Sequence, residues 1–212
     1  MDAEGAVAAV WGRLLELLSA PLSSAELLWA AIPLFIATLF IALYFGRNRS
    51  EELGWNTAFG NTMVFLFVAI GLIQKMYNSG GLGSLANITS SGLYFTITVA
   101  LALVSILMMA ITYFHLMPKR AAFFLFSAPP LNSAAYVVMT IVYGNVPPDW
   151  VTAAAGIIFL FLILVVVKAL QVPLWLISVR EHESSGDMAV KAEDEPGTRR
   201  RRVRSRNLES GE

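Results

Sequence analysis

Between Leu27 and Val179 the chain carries only six basic and three acidic residues. No water-soluble fold of ordinary size can solvate its surface with so few charges: soluble domains are about 25 % charged and roughly half apolar. The whole chain has 212 residues, 57 % hydrophobic and 14 % charged, and the charge it has is crowded beyond Val179. Eight of 15 Lys and Arg and eight of 15 Asp and Glu lie at or after Arg180. The middle reads as a multi-pass, all-α membrane domain, because about 20 apolar residues in a helix cross the hydrocarbon layer.

Five segments of that length are expected to span: about 27–45, 55–73, 93–117, 121–143 and 151–169, with the membrane domain covering 27–179. Ahead of them, residues 6–20 place Val7, Val10, Leu14, Leu17 and Leu18 at helical spacing, interrupted by Arg13 and Glu16. The uncharged stretch is short, so residues 1–26 are expected to form an amphipathic helix lying in the outer interface, ended by Pro21. Ser23 with Glu26 three residues on fits a capping box for the first span. Met-Asp-Ala-Glu at the start has no basic n-region, so no cleavable signal peptide is expected.

Basic residues favour the cytoplasmic side. Arg47 and Arg49 follow the first span, Lys119 and Arg120 the third, and Arg180, Lys191 and six further arginines the fifth. The loop after the fourth span, GNVPPDW, has no basic residue, and that after the second has only Lys75 at its edge. Five spans in the cell membrane, with the N-terminus outside and the C-terminus cytoplasmic, satisfy every loop. Lys168 then snorkels at the inner end of the fifth span.

The segment LFSAPPLNSA, residues 125–134, stands inside the fourth span. Proline has no N–H, so Pro129 and Pro130 leave the carbonyls of Leu125 and Phe126 without helical donors. Two bare carbonyls in lipid cost several kcal/mol each, so the break must be buried against protein or line water. It lies roughly 13–18 Å from Lys119, about the midplane. Asn132 or Ser133 is expected to cap the restarted helix. Asn61, Thr62 and Ser105 on neighbouring spans are candidate donors to the freed groups. A kinked helix held this way is one reading. A ligand or ion site lining a path is the other, since freed carbonyls attract cations. That second reading is weakened by the lack of a matching break in a repeat.

The residue inventory points away from catalysis. With no cysteine, disulfides, thiol chemistry and thiolate metal sites are excluded. No intramembrane cluster of His, Asp and Glu stands ready for proton transfer or metal binding, so no metal and no cofactor are expected. Lys168 lacks the intramembrane carboxylate that a buried protonated Schiff base needs. His115 fits an interfacial position at the inner end of the third span. The Gly80–Gly83 run lacks phosphate-loop context and reads as an outer loop, which also carries the glycosylation triplet Asn87-Ile88-Thr89.

The tail, 180–212, is polar and is expected to be disordered. Its cluster Arg199, Arg200, Arg201, Arg202, Arg204 and Arg206 suits anionic lipid headgroups or a protein partner better than nucleic acid. The sequence thus points to a non-catalytic membrane scaffold or subunit that meets lipid, a partner protein or further copies of itself. A small channel or transporter with the discontinuous fourth span lining the path is the alternative.

Overall fold

Where no water reaches the backbone, a chain this apolar must satisfy its N–H and C=O groups internally, and helices do so within one segment. The structure is a computed structural model describing residues 2–48, 53–78 and 92–194, and those residues form helices and their connections with no strand. The elements are α1 (Ala3–Ser23), α2 (Ala25–Arg47), α3 (Trp55–Asn78), α4 (Gly92–Tyr113), α5 (Lys119–Leu125), α6 (Ala128–Gly144) and α7 (Trp150–Asp194). The loop with Gly80–Gly83 and Asn87, and the arginine cluster from Arg199 to Arg206, lie outside the described residues.

From α2 onward the chain runs back and forth. Glu26 at the start of α2 pairs with Lys75 near the end of α3, and the Lys75 ammonium sits 5.3 Å from the Tyr143 ring centre near the end of α6. These groups and the 145–149 turn define one end of the bundle, called here the turn end. At the opposite, basic end, Trp55 packs on His115 and Phe123, with ring centres 4.3 Å and 5.2 Å apart, near Lys119 and Arg120. Tyr136 is the hub of the core. Its ring stacks on Phe159 of α7 and lies 5.1 Å from Phe35 of α2, and its hydroxyl reaches α1.

Among the described residues, five helices are long and apolar enough to cross a membrane: α1, α2, α3, α4 and residues 150–177 of α7. The α5–α6 pair passes the same test only jointly, bent by 44°. Four of the five overlap expected segments, the expected fourth, 121–143, is the bent pair, and α1 is the addition. The helix of α1 is 21 residues long, because Pro21 sits inside it and does not end it, and the charges of Arg13 and Glu16 pair at 2.7 Å. The cap of α2 is Ser24, whose hydroxyl accepts from the Leu27 N–H at 3.3 Å; the Ser23 hydroxyl instead donates back to the Ala20 carbonyl.

Two other boundaries move. Helix α4 stops at Tyr113, short of Pro118 and of the expected end at 117, because His115 takes a left-handed backbone (φ 52°) and the Leu116 N–H closes onto the Ile111 carbonyl. This 6→1 closure is the Schellman geometry, usually built on glycine. At the far end, Pro173 does not break α7, which remains helical to Asp194 and so overruns the expected start of the tail at 180.

Asp149 opens α7. Its carboxylate accepts from the Thr152 N–H at 2.8 Å, an N-cap bond. That bond, with the Arg13 guanidinium nearby, holds the Asp149 carboxyl below its ordinary value of 3.8. A depressed acid contributes stability that is present above the unfolded pKa and lost as pH falls through the folded one. The thermal midpoint should therefore drop on acidification below about pH 4, and Asp149→Asn should flatten that part of the profile. Thermal unfolding in detergent between pH 3 and 6 checks this.

Candidate functional site

The bend lies where the prolines require it, but its construction differs from the expectation. Helix α5 ends at Leu125, Ser127 adopts an extended backbone (ψ 157°), and α6 restarts at Ala128. Pro129 and Pro130 therefore occupy the first turn of α6, where a missing N–H is no loss because that N–H has no intrahelical partner. Neither Asn132 nor Ser133 caps the helix; both lie inside it and are buried. The Ser127 hydroxyl donates to the Phe124 carbonyl at 2.8 Å, closing the last turn of α5.

The Phe126 carbonyl has a donor from another helix: the Asn61 side-chain amide of α3, at 2.9 Å. Of the other candidate partners, Thr62 donates to Phe59 on its own helix at 2.7 Å. The Ser105 hydroxyl of α4 donates to the Thr62 carbonyl of α3 at 2.8 Å. Ser105 thus ties α4 to α3 and does not reach the bend. Leu125 is partly exposed at the end of α5.

Asn132 supplies another interhelical tie. Its Nδ2 donates to the Leu34 carbonyl at 3.1 Å and to the Thr38 hydroxyl at 2.7 Å, joining α6 to the middle of α2. The amide orientation follows from the first contact, since a carbonyl needs a donor opposite it. Its Oδ1 is buried with no hydrogen-bond partner. Asn132 stands between two apolar clefts: one of about 430 Å³ between α2, α3 and α6, and one of about 130 Å³ shared with α7.

Sequence reasoning missed a fourth tie. Pro21 lies in the last turn of α1 and removes the donor that would serve Leu17, four residues back. The Tyr136 hydroxyl of α6 donates to that Leu17 carbonyl at 2.6 Å. Leu17 and Tyr136 are both fully buried. The signal was present in the sequence: the same four-residue arithmetic applied to Pro129 and Pro130 identifies Leu17 once Pro21 is read as helical.

Chemically, these groups form a set of hydrogen-bonded ties between helices. Asn61, Ser105, Asn132 and Tyr136 each donate to a main-chain carbonyl of a different element, and the described residues hold no group of three or more His, Cys, Asp or Glu placed to bind a metal. No protein-family model, curated protein or solved structure matches the chain.

Interhelical side-chain bonds in membranes average about 0.6 kcal/mol and reach about 1.7, whereas a buried carbonyl left bare costs about 1–3. Leu17 has no backbone donor to fall back on, so Tyr136→Phe should cost about 1–2 kcal/mol. Pro21→Ala restores the N–H in a stretch that is already helical, and in that background Tyr136→Phe should cost much less. A double-mutant cycle by reversible unfolding in mixed micelles measures the difference. Asn61→Leu should cost about 1–2 kcal/mol by the same argument.

Proposed function

We propose that the chain is a non-catalytic, multi-pass protein of the cell membrane that acts as a structural subunit or scaffold of a membrane assembly. The observation that carries this reading is the distribution of polarity. Large apolar side chains stand exposed along the bundle: Phe35 and Phe40 on α2, Phe67 on α3, Leu103 and Leu107 on α4, Phe161 and Val165 on α7. Buried positions meanwhile hold Thr38, Thr62, Thr98, Ser105, Asn132 and Thr140. A surface helix in water shows the reverse arrangement. The polar core groups also use their donors on helix carbonyls, which favours a structural role over a reactive one.

The charge pattern supports the orientation. At the turn end Arg13 approaches Glu16 and Asp149, and Lys75 pairs with Glu26. The opposite end carries Arg47, Lys119, Arg120 and Lys168, which suits the cytoplasmic face. Trp150 and Trp175 lie about 37 Å apart along α7, near the spacing of the two interfacial aromatic belts. Placing α1 in the outer interface, with α2, α3, α4, α5–α6 and α7 as five spans, keeps the guanidinium of Arg13 beside Asp149 and leaves Val7, Trp11 and Leu15 exposed to lipid. The arginine cluster of the tail then faces the inner leaflet or a cytoplasmic partner.

The absence of native cysteine makes the test clean. Single cysteines at Ala8, Asn145 and Pro118 would be probed with an impermeant maleimide on sealed cells. Labelling at 8 and 145 but not at 118 is expected; labelling at 118 overturns the orientation, and protection at 8 makes α1 a sixth span. Liposomes holding the purified chain should show no solute flux above empty vesicles. Flux that Pro129→Ala/Pro130→Ala abolishes would establish the channel reading instead.

A further inference from the structure

Resting on the membrane reading above, we infer that the cleft between α2, the α5–α6 bend and α7 is a binding site for one anionic phospholipid, with its phosphate on Lys168. The cleft has a volume of about 250 Å³ and lies at the bend itself, with Pro129 on one wall and Ile41, Phe45, Leu164 and Val167 on the others. Among the described residues, Lys168 is the only charged one that lines it.

Lys168 stands 18 residues into α7, about 27 Å along the axis from Trp150. That distance nearly matches the hydrocarbon thickness, so the ammonium reaches the headgroup level of the leaflet at the basic end. It is exposed, and among the described residues it carries no ion pair or hydrogen bond. The contrast with the turn end is what selects an anion: there Arg13 and Lys75 already have carboxylates beside them. In low dielectric an unpaired cation favours a counter-charge, and basic pockets between membrane helices on the cytoplasmic side bind anionic headgroups. The other polar groups of the cleft are already engaged. Ser127 donates to the Phe124 carbonyl, and the Gln171 amide donates to the Ala42 carbonyl at 3.3 Å. What remains is one positive charge above an apolar furrow, which matches a phosphate joined to an acyl chain.

The test is native mass spectrometry of the full chain in detergent, titrated with phosphatidylglycerol and with phosphatidylcholine of the same chains. Tighter binding of the first phosphatidylglycerol is expected, with the preference reduced about fivefold in Lys168→Gln and kept in Lys168→Arg. Lys75→Gln, at the opposite end, should leave it unchanged, and free glycerol phosphate should not displace the lipid. Leu164→Trp, which fills the furrow, should weaken binding while Lys168 is intact. Equal binding of the two lipids, full preference in Lys168→Gln, or displacement by glycerol phosphate would each overturn the proposal. Thermal shifts on every variant separate misfolding from lost binding. Alkaline carbonate extraction of native membranes separates the two levels of inference. Release of the chain defeats the membrane reading, whereas retention without lipid preference defeats only the lipid site.

Discussion

A proline inside a helix leaves a carbonyl four residues back without its donor, and in an apolar protein that vacancy must be filled from elsewhere. At Pro21 a side chain from another helix fills it: Tyr136 serves the Leu17 carbonyl. The bend leaves a second carbonyl, that of Phe126 just past the last turn of α5, and Asn61 serves it. Each bond joins residues far apart in sequence, so each local defect becomes a tertiary tie. The architecture follows from these ties: α1 is fastened to the core at Tyr136, and the bend is fastened to α3 at Asn61.

Seen this way, the bend is a built joint. Its prolines stand in the first turn of α6, where their missing donors are harmless, and Ser127 closes the turn before them. Asn132, one turn further on, fastens α6 to α2 through Leu34 and Thr38. A permeation path would need groups left free to meet a passing solute. Here the donors of Asn61, Asn132 and Ser127 are engaged within the protein, which is why a structural role is the better reading. Among the described residues, the buried side-chain polar atom near the bend left without a partner is Asn132 Oδ1.

Much of the fold was legible in sequence because hydrophobic length is read directly from the chain. The charge-poor runs located α2, α3, α4 and the start of α7, and the Pro-Pro pair located the bend. Other features were hidden for specific physical reasons. Pro21 looked like a helix end because a proline usually ends one, and only Tyr136, 115 residues away in sequence, makes it tolerable. The stop of α4 fell on His115, a residue that seldom takes a left-handed backbone, while Pro118 nearby offered a more ordinary signal. Thr38 and Tyr136 carried no local mark, since a hydroxyl in an apolar run becomes a tie only when a neighbouring helix presents a carbonyl. Asn61 was visible as a candidate because amides are rare in such runs and demand partners.

The central claim concerns two hydrogen bonds, so it is tested best at the carbonyls themselves. Isotope-edited infrared spectroscopy of the reconstituted protein, with a ¹³C=¹⁸O label at Phe126 or Leu17, reads the hydrogen bonding of each carbonyl through its amide I frequency. The account predicts a hydrogen-bonded frequency at both sites, shifting upward at Phe126 in Asn61→Leu and at Leu17 in Tyr136→Phe. A free-carbonyl frequency in the native chain, or one unmoved by removal of the donor, would contradict it.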